Sequence, residues 1–273
     1  MSENYSDLTV QQAVYIDSFG DISKLPRQKL LDELDKVWIS LGLNNEIPLQ
    51  FQSEAAEKFY SHPVWILNGL FSELDAVSRG HRVDIANYIK SLGVLRVADY
   101  GGGSGVLARF IVKGSDVHVD VIEPYPSSFF LNRISDCKNV QFVDVLGSNY
   151  DLVVAQDVLE HTDDPLAVAV KLISATRMGG YLIFANCFFP IIECHLPTTF
   201  YLRHTFSLLM FFAGLRYVAA VDGAEHALVF KKIRPIRVCS FKFVSSLARP
   251  FAALIDKLIK VISKIKRDFI NRI

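Results

Sequence analysis

The spacing of hydrophobic positions changes near residue 93 and divides the chain into two patterns. Before that point, apolar residues recur at three- and four-residue intervals, as at Leu30, Leu34 and Trp38. This spacing predicts helices over 29–41 and over 53–92, with a break near Pro63. Gly93 is expected to end the last of these helices, because glycine commonly stands just past a helix terminus.

From residue 95 onward, short apolar runs alternate with helical segments. Strands are predicted at 95–99, 118–123, 140–143, 150–155 and 181–185, and an antiparallel pair at 216–221 and 227–231. Strands that alternate with helices and lack strict apolar–polar alternation favour a parallel sheet covered on both faces. The chain is therefore predicted to be α/β, with a doubly wound, mostly parallel seven-stranded sheet that has an antiparallel end.

Charge is distributed unevenly, although 29 Lys and Arg balance 29 Asp and Glu. Residues 231–273 hold 12 basic and 2 acidic side chains, so residues 1–230 hold 17 and 27. An acidic body with a basic tail indicates an anionic surface as the partner of the tail. Three segments are predicted: a helical N-terminal extension or cap over 1–92, the sheet domain over 93–232 and a basic tail over 233–273.

The tail has the pattern of an amphipathic helix over residues 247–270. One face is apolar and the opposite face is basic, the two sets being Phe251, Ile255, Leu258, Ile262, Ile265 and Phe269, and Lys257, Lys260, Lys264 and Arg267. Such a helix suits the surface of an anionic membrane. The alternatives are a helix docked on its own domain or in a dimer. Nucleic acid is disfavoured, because the tail lacks interleaved aromatic residues and the body is acidic.

The chain has no run of the roughly 18–20 uncharged apolar residues that span a bilayer, and no secretory leader pattern at its start. None of the four cysteines forms a Cys-x-x-Cys pair. We therefore expect a reducing, cytoplasmic compartment, with peripheral contact at the inner membrane surface through the tail. No metal site is expected, because Cys194 and His195 have no second pair at ligand spacing.

A glycine-rich turn follows the first predicted strand, in the order Asp99-Tyr100-Gly101-Gly102-Gly103-Ser104-Gly105. Glycines let the backbone turn tightly and approach a ligand closely. In a doubly wound sheet this turn lies at the edge where ligands bind. The spacing differs from the Gly-x-Gly-x-x-Gly dinucleotide fingerprint. Counted from Gly101 or Gly102, the sixth position, which should be glycine, is Val106 or Leu107.

The turn resembles the first motif of class I S-adenosylmethionine-dependent methyltransferases, whose fold is a Rossmann-like sheet. The segment Ala155-Gln156-Asp157-Val158-Leu159-Glu160-His161 is similar to the Asp-x-Leu-Glu-His segment of small-molecule and quinone methyltransferases in that family. The resemblance covers about residues 93–232 and implies S-adenosylmethionine as the cofactor. It implies cofactor-binding roles for Asp99, Gly101, Gly103, Gly105, Glu123, Asp144 and Gln156. Within that set, Glu123 would bind the ribose and Asp144 would lie beside the adenine.

Candidate catalytic groups lie after the fourth and fifth strands. His161 is the first choice for a general base, since histidine titrates near neutrality, and Asp157 is the second. Each residue has an alternative, non-catalytic role. His161 could support its loop, and Asp157 could pack against the glycine turn. The insertion at 186–204, which holds Asn186, His195 and His204, is expected to form part of the acceptor pocket or its lid. Tyr60, His62 and Trp65 on the N-terminal helices are expected in the core, with a place over the pocket as the alternative.

The predicted reaction is methyl transfer to a small-molecule or lipid-linked acceptor at oxygen. One alternative is a binding module that keeps the fold without catalysis. A nicotinamide-dependent reductase is a further alternative, but Tyr201 is followed four residues later by Thr205 rather than by lysine. The sequence leaves open the identity of the acceptor and the oligomeric state.

Overall fold

The computed structural model describes residues 7–270, with side chains for all of these except 238–240, 260 and 262–270. Five helices precede the sheet in this part of the chain: α1 (Val10–Asp17), α2 (Arg27–Ser40), α3 (Ser53–Tyr60), α4 (Val64–Leu74) and α5 (Ala76–Ser91). The predicted break falls between α3 and α4, where Pro63 precedes the first residue of α4. Gly93 follows α5 with a φ of +65°, as expected for a residue that ends a helix.

Seven strands form a mixed sheet in the order β3-β2-β1-β4-β5-β7-β6. Their bounds are β1 (Arg96–Tyr100), β2 (His118–Ile122), β3 (Val140–Phe142), β4 (Tyr150–Gln156), β5 (Thr176–Ala185), β6 (Leu215–Val221) and β7 (Ala224–Lys232). The first five strands are parallel, and β7 pairs antiparallel with both β5 and β6. The predicted parallel sheet with an antiparallel end is confirmed.

Helices cover both faces of the sheet, which explains why its strands are apolar on both sides. The connecting helices are α6 (Val106–Val112), α7 (Ser128–Ile134), α8 (Pro165–Ala175) and α9 (Leu202–Phe212). On one face, α8 and α9 pack with Val153 and Phe184. On the other face, α5 and α6 pack with Val154 and Ile183. Helix α5, which the sequence grouped with the extension, therefore covers the sheet.

Two strands begin well before their predicted starts. Strand β5 begins at Thr176 rather than at 181, and includes the Gly179-Gly180 pair. The register against β4 shifts between Tyr150 and Leu152, and this irregularity accommodates the two glycines, with Gly179 at a φ of +75°. Strand β7 begins at Ala224 rather than at 227.

The cap has its own hydrophobic core, formed by α1 to α4. Trp38, Phe59 and Leu67 are buried there, and the ring of Trp38 meets the ring of Phe59 edge to face at 5.1 Å. The same core includes Phe130 of α7 and Leu196 of the loop after β5. The cap is thus packed against the sheet domain through apolar contacts.

The last helix, α10 (Val238–Ile270), packs against α9 through Ala248 and Ala252. Asp256 accepts hydrogen bonds from Arg203 Nη2 at 2.7 Å and from His204 Nε2 at 2.9 Å. Among the described residues, no helix is long and apolar enough to cross a membrane. Part of the predicted amphipathic pattern lies outside the described side chains, namely Lys260, Ile262, Lys264, Ile265, Arg267 and Phe269.

Candidate active site

A cavity of about 650 Å³ lies between the cap and the carboxyl ends of the parallel strands. Residues that follow β1, β2, β4 and β5 line its lower side, and residues of α1 to α5 line its upper side. A volume of this size is within the range of roughly 300–1,000 Å³ that is typical of ligand sites. Open α/β sheets bind ligands at this edge.

The glycine turn after β1 forms the floor of the cavity. Gly101, Gly103 and Gly105 have φ angles of +69°, +53° and +69°, which L side chains rarely adopt. A Cβ atom at Gly101 would lie 2.5 Å from Val158 Cγ2, so the turn needs glycine for space as well. Nothing lies within 4 Å of a Cβ at Gly103, whose backbone is therefore open to a ligand.

Asp99, at the end of β1, lies beneath the turn and is almost completely buried. Its Oδ2 atom is buried without a hydrogen-bond partner. Burial raises the pKa of Asp99 to about 7, although the nearby guanidinium of Arg82 opposes the shift. An unpartnered acceptor at the base of a cavity requires a donor from a ligand.

Arg82 of α5 also lines the cavity, and its Nη1 donates to Ser78 O at 3.1 Å. Burial lowers the pKa of Arg82, whereas Asp157 and Asp99 favour the charged form. Arg82 was not predicted from the sequence, because the helical pattern of α5 does not distinguish it from other exposed-face residues. A buried guanidinium beside a glycine turn is suited to a ligand carboxylate.

Glu123 follows β2 and is held by two backbone groups. Its Oε2 accepts from Gly103 N at 2.9 Å, and its Oε1 accepts from Tyr125 N at 3.1 Å. Burial raises the pKa of Glu123, and these two hydrogen bonds oppose the shift. The carboxylate is therefore fixed beside the glycine turn, within the cavity wall.

Gln156 and Asp157 end β4 and both line the cavity. Gln156 Nε2 donates to Asp157 Oδ2 at 3.3 Å. Asp157 has a φ of +54°, an uncommon conformation for a residue other than glycine, and its backbone N–H donates to Ala185 O at 2.7 Å. Strained backbone of this kind costs about 1–3 kcal/mol and is concentrated at functional sites.

His161 also lines the cavity, but the expectation that its ring titrates near neutrality is wrong. Burial, followed by the neighbouring His195, lowers the pKa of His161 to about 3, so its ring does not titrate near neutrality. Its Nδ1 is 3.0 Å from Cys194 O. His161 therefore supports its loop through Nδ1 and presents a neutral ring to the cavity.

Two residues of the implied cofactor set do not line the cavity. Gly105 is buried at the start of α6, where a Cβ would lie 3.5 Å from Ile134 Cγ2. Asp144 is exposed in the loop after β3 and lies outside the cavity wall. The contact of Asp144 with adenine stays a prediction.

The insertion after β5 is packed into the protein only in part, since Phe189 and Ile191 are exposed and Ile191 lines the cavity. Phe188, Cys194, His195 and Leu196 are buried. His195 lines the cavity, whereas His204 lies in α9 and pairs with Asp256 of α10. Asn186 is partly buried, and its Oδ1 has no partner among the described residues.

Glu160 is a further buried group that sequence analysis did not single out. Its side chain is fully buried, and Oε1 accepts from Cys187 N at 2.6 Å. Burial, followed by the charge of Asp157, raises the pKa of Glu160. This contact ties the loop after β4 to the loop after β5, and so fixes the two strand ends that form the rear of the cavity.

Residues of the cap carry further unpartnered polar atoms. Tyr60 Oη and Trp65 Nε1 are buried without partners, and so is Ser127 Oγ before α7. These three residues and His62 line the cavity, so the cap aromatics are cavity wall as well as core. Together with Asp99 Oδ2, these atoms fit a ligand that has both sugar hydroxyls and an amino-acid end, such as S-adenosylmethionine.

The sheet order, the spaced glycines after β1 and the carboxylate after β2 agree with the resemblance to class I S-adenosylmethionine-dependent methyltransferases. Residues 69–188 match the family model described as a methyltransferase domain, so this part of the chain is a methyltransferase domain. The match decides against the nicotinamide-dependent reductase.

Solved structures show the same fold at low sequence identity. An O-methyltransferase family protein from Burkholderia thailandensis is 16% identical with a TM-score of 0.53, over 77% of this chain and 70% of that one. The CurJ carbon methyltransferase is 15% identical with a TM-score of 0.50, over 82% and 70%. TnmH is 16% identical with a TM-score of 0.51, over 68% and 64%.

A curated relative is the tRNA (guanine(26)-N(2))-dimethyltransferase of Thermoplasma acidophilum. It is 30% identical over 93 residues, which are 34% of this chain. The match spans only 27% of that protein, so it concerns the shared domain and not the acceptor.

Proposed function

We propose that the whole chain is an enzyme that transfers a methyl group from S-adenosylmethionine to an oxygen of a small-molecule or lipid-linked acceptor. The observation that carries this proposal is the single cavity that runs from the glycine turn to the cap. One end is lined by the residues assigned to the cofactor, and the other end is lined by residues of the cap. This second part of the cavity suits a small acceptor, or the end of a longer one.

For the cofactor, we assign the amino-acid end to the glycine turn, with Asp99 as an acceptor for its amino group and Arg82 as the partner of its carboxylate. Glu123 would bind the ribose hydroxyls, as its fixed position after β2 supports. Gln156 is assigned to the cofactor side as well. The roles of Gly105 and Asp144 rest on the family resemblance.

When bound, S-adenosylmethionine supplies a methyl group on a good leaving group. The protein therefore has to align the acceptor and exclude water more than it has to activate either reactant. Asp157 lines the cavity and has a positive φ, and it is suited to orient the acceptor. His161 is suited to accept a hydrogen bond from a hydroxyl through Nε2.

Calorimetry with S-adenosylmethionine tests the cofactor half directly. We expect one site, with binding lost in Asp99→Ala and in Glu123→Ala. Incubation with cell extract and methyl-labelled cofactor, followed by partition into organic and aqueous phases, tests the acceptor half. Absence of binding would remove the proposal, and binding without label transfer would favour a non-catalytic module.

We further propose peripheral contact with an anionic membrane through α10. The face of α10 opposite its basic positions is exposed, including Phe243, Leu247, Phe251, Leu254 and Leu258, of which Phe243 is 68% exposed. The face that packs on α9 is a different one, centred on Ala248 and Ala252. The helix therefore docks on its own domain and still leaves an apolar face without a partner.

Charge favours an anionic bilayer as the occupant of that face. Lys242, Arg249 and Lys257 are exposed on the opposite, basic face, as in a helix that lies at the surface of an anionic bilayer. Each basic residue near an anionic surface contributes about 1 kcal/mol, and each inserted half-exposed leucine or phenylalanine contributes about as much again. A second copy of the chain seated on the apolar face would leave the basic side chains without an anionic partner, whereas an anionic bilayer satisfies both faces.

Sedimentation with vesicles tests this contact. We expect binding to vesicles that contain phosphatidylglycerol and little binding to phosphatidylcholine alone. Phe251→Glu combined with Leu254→Glu should abolish it, whereas the matched change of Leu95→Glu with Val145→Glu, at exposed apolar positions elsewhere, should not. Equal binding to both vesicles, or a dimer that the first variant dissociates, would contradict the proposal.

A further inference from the structure

Two histidine rings lie edge to face at the cap side of the cavity. The ring centroids of His161 and His195 are 4.9 Å apart, with an interplanar angle of 83°. His161 follows β4, and His195 lies in the loop after β5, so two strand ends bring them together. Both residues line the cavity.

Each ring is anchored through the same nitrogen. His161 Nδ1 is 3.0 Å from Cys194 O, and His195 Nδ1 is 2.7 Å from Phe189 O. A carbonyl oxygen can only accept, so Nδ1 carries the proton in both rings. In each neutral ring Nε2 then has the lone pair, and neither Nε2 has a partner in the described part of the chain.

The surroundings keep both rings neutral. Burial is the main cause that lowers the pKa of each ring, and His195 also opposes a charge on His161. Asp157 and Asp35 favour a charge on His195, and Arg27 opposes it, but burial outweighs them. The pair therefore offers two neighbouring hydrogen-bond acceptors, which suit two donors from one ligand.

The neighbouring wall is aromatic. The indole of Trp65 is 6.3 Å from the ring of His161, and the ring of Tyr60 is 5.4 Å from that of Trp65. Tyr60 Oη and Trp65 Nε1 are buried and unpartnered. Flat apolar faces beside a few polar atoms suit a ring with polar substituents.

We propose that His161 and His195 form the acceptor subsite for a neutral ring with two adjacent hydroxyl groups, one of which is methylated. This inference rests on the proposed methyl transfer. His161 binds the reacting hydroxyl, because Val158 of the same loop packs against Gly101 of the glycine turn. His195 binds the neighbouring hydroxyl and acts as a positioning group.

The chemical step is balanced by these groups. The acceptor oxygen forms the new O–C bond as the C–S bond breaks, and the electron pair of that bond stays on sulfur. The hydroxyl proton moves to His161 Nε2 and then to water. A weak base is sufficient, because the proton becomes strongly acidic only as the O–C bond forms.

Two measurements test the subsite. Long-range ¹⁵N–¹H NMR of the histidine rings, with S-adenosylhomocysteine present, should show neutral Nδ1–H tautomers for both residues at pH 7. Catechol, myo-inositol and methyl glucoside are the vicinal-diol probes, each compared with an analogue that lacks one hydroxyl. We expect turnover of at least one diol, and a KM about tenfold higher for its analogue, since one lost hydrogen bond has about that effect.

Variants separate the two roles. His195→Gln should raise KM for the diol about tenfold with little change in kcat, and should remove the discrimination against the analogue. His161→Gln should lower kcat about a hundredfold. His118→Gln, the same change at the opposite edge of the sheet, is the control. S-adenosylmethionine affinity, measured by calorimetry, should stay within twofold in all three.

Nε2–H tautomers or charged rings at pH 7 would overturn the inference. Transfer of the methyl label to a component of the cell extract, without turnover of any diol, would also overturn it. That second result would leave the methyl transfer itself intact. Loss of S-adenosylmethionine binding by the unmodified protein would instead remove the proposed function.

Discussion

Replacing Asp99 by asparagine tests whether the buried carboxyl group below the glycine turn is held in an unfavourable state. The pKa of this group is about 7 in the folded protein, mainly because of burial, against an ordinary value of 3.8. Between these two pKa values the folded state keeps the proton that the unfolded state has lost. The contribution of Asp99 to the free energy of unfolding is therefore fully present below pH 4 and is lost as the pH rises toward 7.

The magnitude follows from the width of that window. Between pH 5 and pH 7 the unfolded carboxyl is ionised, whereas the folded one is still largely protonated. Two pH units at full slope correspond to about 2.7 kcal/mol, and the value is reduced to about 2.3 kcal/mol because the folded carboxyl is half ionised at pH 7. The free energy of unfolding of the unmodified protein, minus that of Asp99→Asn, should therefore fall by about that amount from pH 5 to pH 7.

Urea unfolding followed by circular dichroism at each pH, without cofactor, measures the difference. Asp151→Asn is the control, because hydrogen bonds and the charge of Arg177 lower the pKa of Asp151, and its contribution is constant over this range. A difference for Asp99→Asn that stays flat, or that rises with pH, would refute the reasoning.

Three further outcomes are expected. Gly101→Ala should abolish S-adenosylmethionine binding in calorimetry, because the Cβ meets Val158 and the φ is positive; unchanged affinity would contradict this. Glu123→Gln should weaken binding about tenfold or more, and Asp144→Asn should weaken it less, because Asp144 lies outside the cavity wall. Glu160→Leu should lower the free energy of unfolding by about 1–3 kcal/mol through the unpaired Cys187 N–H, while Glu160→Gln keeps the acceptor and should be nearly neutral.

The local sequence pattern was sufficient to predict the sheet and the strand ends at which the cavity lies. Strands such as 150–156 are buried on both sides, so their apolar runs are visible in the sequence. Asp99, Gly101 and Glu123 lie at strand ends, and strand ends can be located from the same runs. Gly179 shows the limit, since a glycine pair that reads as a turn is part of β5 through a shift of register.

Contacts between distant segments were not predictable in this way. Arg82 reaches Asp99 from a helix that precedes the sheet, and His195 meets His161 from a loop whose course no periodicity describes. The basicity of His161 was misjudged for the same reason, because burial by the cap and by the loop after β5 determines it.

Hydrogen bonds, in addition to apolar contacts, hold the cap to the loops after β4 and β5. Asp163 accepts from the backbone N–H groups of Leu49 and Gln50 at 2.8 and 3.0 Å, and Asp35 accepts from Glu193 N at 2.6 Å. Each contact joins a segment before the glycine turn to a loop after β4 or β5. Loss of these hydrogen bonds should therefore loosen the cap over the strand ends at a lower free energy than unfolding of the sheet.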